Sequence, residues 1–159
     1  MKKVIIGSLL LLLALTGCGK DQVQEDLLTY MNKDIKPLAS LEEKAIKDYE
    51  SVTGGNYKDD ETLHEELQDV IIPEYKDFVE KLEAIKVDNS EISKIHEGYI
   101  KAANEQQSGF VTILDAIEKQ DTGLIAQAND KLAKGREGMR KYQQDLNNLA
   151  KEHNVKIGE

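Results

Sequence analysis

Residue types able to carry out chemistry are scarce in this chain. It has one cysteine, Cys18, and three histidines, set among 30 aspartates and glutamates. Glu61-Thr62-Leu63-His64 has the Glu-x-x-His spacing that puts a carboxylate and an imidazole on one helix face. A di-iron bundle needs two such motifs and two further inward glutamates. The other histidines lie in Ser93-Lys94-Ile95-His96 and Ala150-Lys151-Glu152-His153, neither with a glutamate three residues earlier. The half motif therefore predicts a solvated helix face. The sequence contains no Cys-x-x-Cys, no His-Glu-x-x-His and no calcium loop. It also lacks a Gly-x-Ser-x-Gly elbow, a Walker loop and a dinucleotide fingerprint, and Ser108-Gly109 falls inside a helical pattern. The expectation is a protein that is not an enzyme, with no cofactor and no metal.

What remains is Cys18 and its surroundings. Lys2 and Lys3 precede an apolar run, Val4 to Leu15, broken only by Gly7 and Ser8. At about 12 residues it would rise roughly 18 Å as a helix, short of the ~30 Å of a bilayer core. It reads as the apolar core of a signal peptide rather than a permanent span. Leu15-Thr16-Gly17-Cys18 then resembles the lipobox of bacterial lipoproteins. That resemblance implies a diacylglyceryl group on the Cys18 sulfur and signal-peptidase cleavage between Gly17 and Cys18. Two or more acyl chains, each buried CH₂ contributing about 0.8 kcal/mol, would hold the chain on the membrane. With a single cysteine no intramolecular disulfide is possible, and acylation also disposes of a reactive thiol. The leader is similar to those of Gram-positive lipoproteins, which places the mature chain on the outer face of the cytoplasmic membrane.

Removing the two leader lysines makes the formal charge of −9 more negative still. Such a domain is repelled by anionic lipid, and nucleic acid is an unsuitable partner. The expected organisation is a leader at 1–17, a lipidated cysteine and tether at 18–21, a helical body at 22–155 and a tail at 156–159. No repeat of fixed period stands out.

Apolar periodicity supplies the body. Ile125, Ala128, Leu132, Gly135, Met139, Tyr142, Leu146 and Leu149 alternate steps of three and four, as do Ile92, Ile95, Tyr99, Ala102, Gln106, Gly109, Ile113 and Ala116. Leu63, Leu67, Ile71, Tyr75, Phe78, Leu82 and Ile85 form another stripe. The first is less regular: Val23, Leu27, Met31, Ile35, Leu38, Leu41, Ala45, Tyr49 and Val52. Gly54-Gly55-Asn56 ends the first helix. Asp59 or Asp60, Ser90 and Asp121 are the expected caps of the next three. Short loops force sequential helices antiparallel. The predicted fold is all-α: an antiparallel up-down-up-down four-helix bundle.

Within it, Pro37 and Pro73 are expected to kink two neighbouring helices at nearly one level, or Pro37 to break the first. Gly109 should face Gly135, and Gly98 should face Tyr142, closing two helix backbones together. Tyr49, Tyr75, Tyr99 and Tyr142 lie on the stripes, as core rings with hydroxyls at a polar edge or as the lining of a small cavity. Leu28, Ile46 and Leu114 flank the stripes and offer a face for self-association.

Helix one starts a few residues from the lipid and leads away from the membrane. Tyr57, Asp59, Asp60 and Asp121 should then crown the distal tip, a candidate interaction loop. The leading functional expectation is a non-catalytic interaction module that binds an envelope protein or wall component. The alternatives are a small-ligand or cation-binding lipoprotein, near the glycines and tyrosines, and an immunity or exclusion lipoprotein.

Overall fold

The computed structural model describes residues 21–156, and these are helical with no strand among them. In order they are α1 (Gln22–Thr29), a π-helical segment (Tyr30–Ile35), α2 (Lys36–Ser51), a 3₁₀ turn (Gly54–Asn56), α3 (Asp60–Glu66), a second π segment (Leu67–Ile71), α4 (Ile72–Glu83), α5 (Ser90–Lys119) and α6 (Thr122–Glu152). Each π segment runs without a gap into the α-helices on either side, so residues 22–51 and 60–83 are two continuous rods. Among the described residues no helix is long and apolar enough to cross a membrane.

Neither proline breaks its rod. Each follows a π segment, at the second position of the α-helix that succeeds it. Lys36 N–H bonds back to the Met31 carbonyl and Ile72 N–H to the Leu67 carbonyl, five residues away. A helical proline withdraws one donor and clashes with the carbonyl four residues back. The wider π turn moves that carbonyl aside and leaves the rod intact. The prolines do not share a level either. Glu74, beside Pro73, pairs with Lys44, seven residues beyond Pro37. That corresponds to about 10 Å along the rod. Both rods carry the same local pattern: Leu27, Met31, Ile35, Pro37 and Leu63, Leu67, Ile71, Pro73.

Side-chain pairs define the packing. Lys44 meets Glu74 between α2 and α4. Glu83 accepts from Asn104, and His64 meets Glu118 at 3.2 Å, so 60–83 runs antiparallel to α5. Gly109 lies against Leu132, and Gly138 against Ala102, so α5 runs antiparallel to α6. At the chain entry Asp21 meets His153, Gln24 reaches the Asn154 carbonyl and Asp26 accepts from Asn89. That end therefore gathers the start of α1, the α4–α5 loop and the end of α6.

The core follows the stripes. Leu27, Leu67, Ile71, Tyr75, Phe78, Leu82 and Ile92 are fully buried, and truncating any aliphatic one costs about 2–5 kcal/mol. Rings form a chain through it: Tyr49 on Phe110 (4.7 Å), Phe110 on Tyr75 (5.2 Å), Tyr75 on Phe78 (5.2 Å), Phe78 on Tyr99 (5.9 Å) and Tyr99 on Tyr142 (4.2 Å). Asp59 and Asp121 cap α3 and α6, accepting from Thr62 and Gly123 N–H at 2.8 Å. The cap of α5 is Asn89, not Ser90: its side chain accepts from Glu91 and Ile92 N–H, leaving Ser90 as the first helical residue. Gln120 ends α5 in the left-handed region, φ 51°, while Asp121 N–H bonds the Ala116 carbonyl.

The α5–α6 seam is tight because glycine lines it, in a different pairing from the expected one. Gly135 sits against Gln106 and Ala102, and Gly109 against Leu132. The two helices are offset by about three residues from a level match of the glycines. Gly98 has open space where a side chain would be, and the residue stacked on Tyr142 is Tyr99.

Candidate functional site

The buried polar groups are concentrated around Glu42. The carboxylate comes from α2, five residues past Pro37, on the side of the helix turned to α5 and α6. The Tyr99 hydroxyl of α5 donates to its Oε2 at 2.6 Å. Tyr99 stacks nearly parallel on Tyr142 of α6, with 4.2 Å between centroids and 16° between planes. The Tyr142 hydroxyl lies 3.4 Å from that of Tyr30, which in turn lies 3.1 Å from His96 Nδ1. A line of polar side chains thus runs from a sealed imidazole to a carboxyl group at the edge of the core, with ring stacking in place of a hydrogen bond between Tyr142 and Tyr99.

Burial dominates the electrostatics of this line. It raises the Glu42 carboxyl above its ordinary range, while the Tyr99 hydrogen bond pulls the other way. It pushes the Tyr142 phenol up to about 12, and raises Tyr30, Tyr75 and Tyr99 further. The Glu42 charge contributes to the upward shifts of Tyr75, Tyr99 and Tyr142, so all three phenols lie within its field. His96 is lowered by burial, against smaller upward effects from the Leu82 backbone, Asp34 and Glu97. Among the described residues its Nε2 and the Tyr75 hydroxyl have no hydrogen-bond partner of normal geometry. Buried polar atoms left unpaired cost about 1–3 kcal/mol each.

Glu42, Tyr99 and Tyr142 open onto a cleft of about 390 Å³ between α2 and α6, completed by Ile46, Lys47, Glu50 and Met139. The cleft exists because α6 leans on α5, where glycine admits it, and not on α2. A larger, shallower groove of about 1240 Å³ follows the outer α5–α6 seam past Gly98 and Gly138, lined by Lys94, Lys101, Lys134 and Arg140 with Glu105 and Glu137 among them.

The four residues expected at the tip do share one end of the molecule, since His64 near the start of α3 contacts Glu118 near the end of α5. Their side chains serve local structure. Asp59 and Asp121 are helix caps, and the Tyr57 hydroxyl donates to Asp60 at 2.9 Å. Tyr57 is nevertheless 47% exposed. Gly17 and Cys18 lie outside the described residues. At the opposite end Glu91, Glu152 and His153 bring ligand atoms within 4.8 Å of one another. They come from the start of α5 and the end of α6, a grouping that motif spacing within one helix does not reveal. His64, the half motif, pairs with Glu118 at the surface.

A family model for EMYY-motif containing lipoproteins matches residues 1–157. The chain belongs to that family. It is accordingly a bacterial lipoprotein, a class held in the cell envelope, and the match takes in both the lipobox and the helical body. The contiguous string Glu-Met-Tyr-Tyr does not occur in this lipoprotein. Neither the curated proteins nor the solved structures contain a match to it.

Three members of the polar line escaped the stripe analysis. Tyr30 sits three residues after Leu27, within the first π segment. His96 belongs to a second row on α5, His96, Ala103 and Phe110, whose spacing of seven marks a helix covered on two sides. Glu42 looks like any other acid in a chain with 30 aspartates and glutamates. Only its neighbour across the core, Tyr99, distinguishes it.

Proposed function

We propose that this lipoprotein is tethered through lipid on Cys18 to the outer face of the cytoplasmic membrane, in the Gram-positive manner, after cleavage between Gly17 and Cys18. Its body is an up-down-up-down four-helix bundle, a reading supported by the antiparallel side-chain pairs. The bundle binds a small ligand in the α2–α6 cleft without turning it over. The observation that carries this reading is the Glu42 carboxyl, drawn into the protein beside three tyrosines yet open to a cleft. Clefts with convergent polar groups and a perturbed carboxyl are where ligands are received. A binding role fits better than catalysis because the phenol–imidazole pair of Tyr30 and His96 is buried and, unlike Tyr99 and Tyr142, lines neither the cleft nor the outer groove.

The test is thermal melting against a broad metabolite library. A cleft ligand raises Tm with the logarithm of its concentration. Met139→Trp, which fills the cleft, should abolish that rise while leaving the fold intact by circular dichroism. A rise that persists in Met139→Trp would place binding elsewhere.

A second reading keeps the distal tip as an interaction surface for an envelope protein or wall component. Tyr57 supports it, as the most exposed of the large apolar side chains among the described residues. A photo-crosslinker at Tyr57, with Lys141 as control, would capture a single envelope protein from the tip alone. Equal capture at both positions refutes it.

A further inference from the structure

The cleft has a chemical bias that follows from what is and is not paired within it. Glu42 makes no ion pair among the described residues, and its one hydrogen bond comes from a neutral phenol. The lysine in the cleft, Lys47, is already held by Glu43 at 2.6 Å. Glu50 adds a further negative charge to the lining. A half-buried carboxylate without a counter-ion is costly, and an incoming cation that brings its own hydrogen bonds removes that cost. An anionic ligand would meet three carboxylates.

The rings narrow the choice of cation. Aromatic cages bind quaternary ammonium groups through open ring faces. Here Tyr99 and Tyr142 stack on each other at 4.2 Å and are 3% and 8% exposed, so those faces are closed. What they offer is oxygen, and phenolic oxygens accept hydrogen bonds from N–H groups. Hard metal ions are held by carboxylates, carbonyls and water, and phenols are not among their usual ligands.

We propose that the α2–α6 cleft takes a protonated amine, its N–H groups bonded to the Glu42 carboxylate and to the hydroxyl oxygens of Tyr99 and Tyr142. This rests on the cleft being a ligand site at all, and the two claims separate experimentally. The full mature lipoprotein in detergent would be titrated with n-butylammonium, tetramethylammonium, n-butanol and butyrate. Tyrosine ring resonances assigned to Tyr99 and Tyr142 provide the readout. The expected result is saturable shifts with n-butylammonium, at least tenfold weaker binding of tetramethylammonium, and a loss of at least tenfold in Glu42→Gln. Helicity of the variant, checked by circular dichroism, excludes misfolding. Butanol or butyrate binding as tightly, or Glu42→Gln binding unchanged, overturns the amine while leaving the cleft as a ligand site. Equal binding of tetramethylammonium overturns recognition through N–H groups. Ring resonances that move with none of these probes, nor with any hit from the metabolite library, overturn both claims.

Discussion

Gly98 and Gly138 lie in helix interiors on two sides of the same groove, and replacing each by alanine should have opposite effects. Alanine in a helix interior is worth about 1 kcal/mol over glycine. At Gly98 a new methyl group meets nothing within 4 Å, so Gly98→Ala should gain that whole amount. For a domain of this size the gain is about 3 °C in Tm. At Gly138 the new carbon would lie 2.6 Å from Ala102 Cβ and 3.3 Å from its Cα. Carbon atoms pack at about 3.5–4.0 Å, so the helices must part by about 1 Å along their tightest seam. Overpacking of that kind costs about 1–3 kcal/mol. Set against the helical gain, Gly138→Ala should lose about 1 kcal/mol overall. Urea unfolding followed by circular dichroism measures both variants. Ala102→Gly removes the 2.6 Å contact, so the double-mutant cycle with Gly138→Ala should show a favourable coupling of about 1 kcal/mol. If Gly138→Ala is as stabilising as Gly98→Ala, or the cycle gives zero, the close approach of α5 and α6 is wrong.

Two further expectations concern stability. Burial lowers His96 below the ordinary 6.5, so the unfolded chain takes up the proton first. Stability is then complete above about pH 6.5 and falls with pH from there toward the folded value, with a slope of at most about 1.4 kcal/mol per unit. Glu42, raised by burial, acts in the opposite sense at lower pH: below its folded value, stability rises as pH falls toward 4.5. Urea unfolding between pH 7.5 and 5.5 should show a decline in the parent chain that His96→Gln lacks, and equal slopes would refute the assignment. Gln120 holds a left-handed conformation that glycine adopts without strain, so Gln120→Gly should raise unfolding free energy by about 0.5–1 kcal/mol, read from the urea midpoint. A lower midpoint would show that the Gln120 side chain contributes more than its backbone costs.

The all-helical fold was legible because apolar spacing is a direct record of helix faces. Leu132, Ile113, Tyr75 and Leu27 all point where their periodicity says. The π segments were legible too, in a signal passed over as irregularity. Val23, Leu27, Met31 and Ile35 advance by four each time, as do Leu63, Leu67, Ile71 and Tyr75. In a plain α-helix three such steps drift about 120° around the axis. A stripe that holds its face through them needs extra residues per turn, which a π segment provides. The candidate site was legible only in part. Tyr99 and Tyr142 stood on their stripes, but the partnership with Glu42 depends on which helices lean together. That is decided by glycine packing across α5 and α6, and the three-residue offset there cannot be read from loop lengths. The tip residues lie at one end of the molecule, as loop position implies, and two of their carboxylates, Asp59 and Asp121, are taken up as helix caps.

The π segments also set what kinds of change this lipoprotein can absorb. A substitution on the surface of either rod alters one side chain. A deletion of one residue inside Tyr30–Ile35 or Leu67–Ile71 would leave about eleven residues between Val23 and Ile35, or between Leu63 and Tyr75, and that many make about three turns of ordinary α-helix. The segment could then relax into α-helix with both halves of its rod still facing the core, and Leu27 and Leu63 would stay buried. The cost would be the proline clash that the π turn avoids. The same deletion inside α5 or α6 would turn one half of the helix by about 100° against the other.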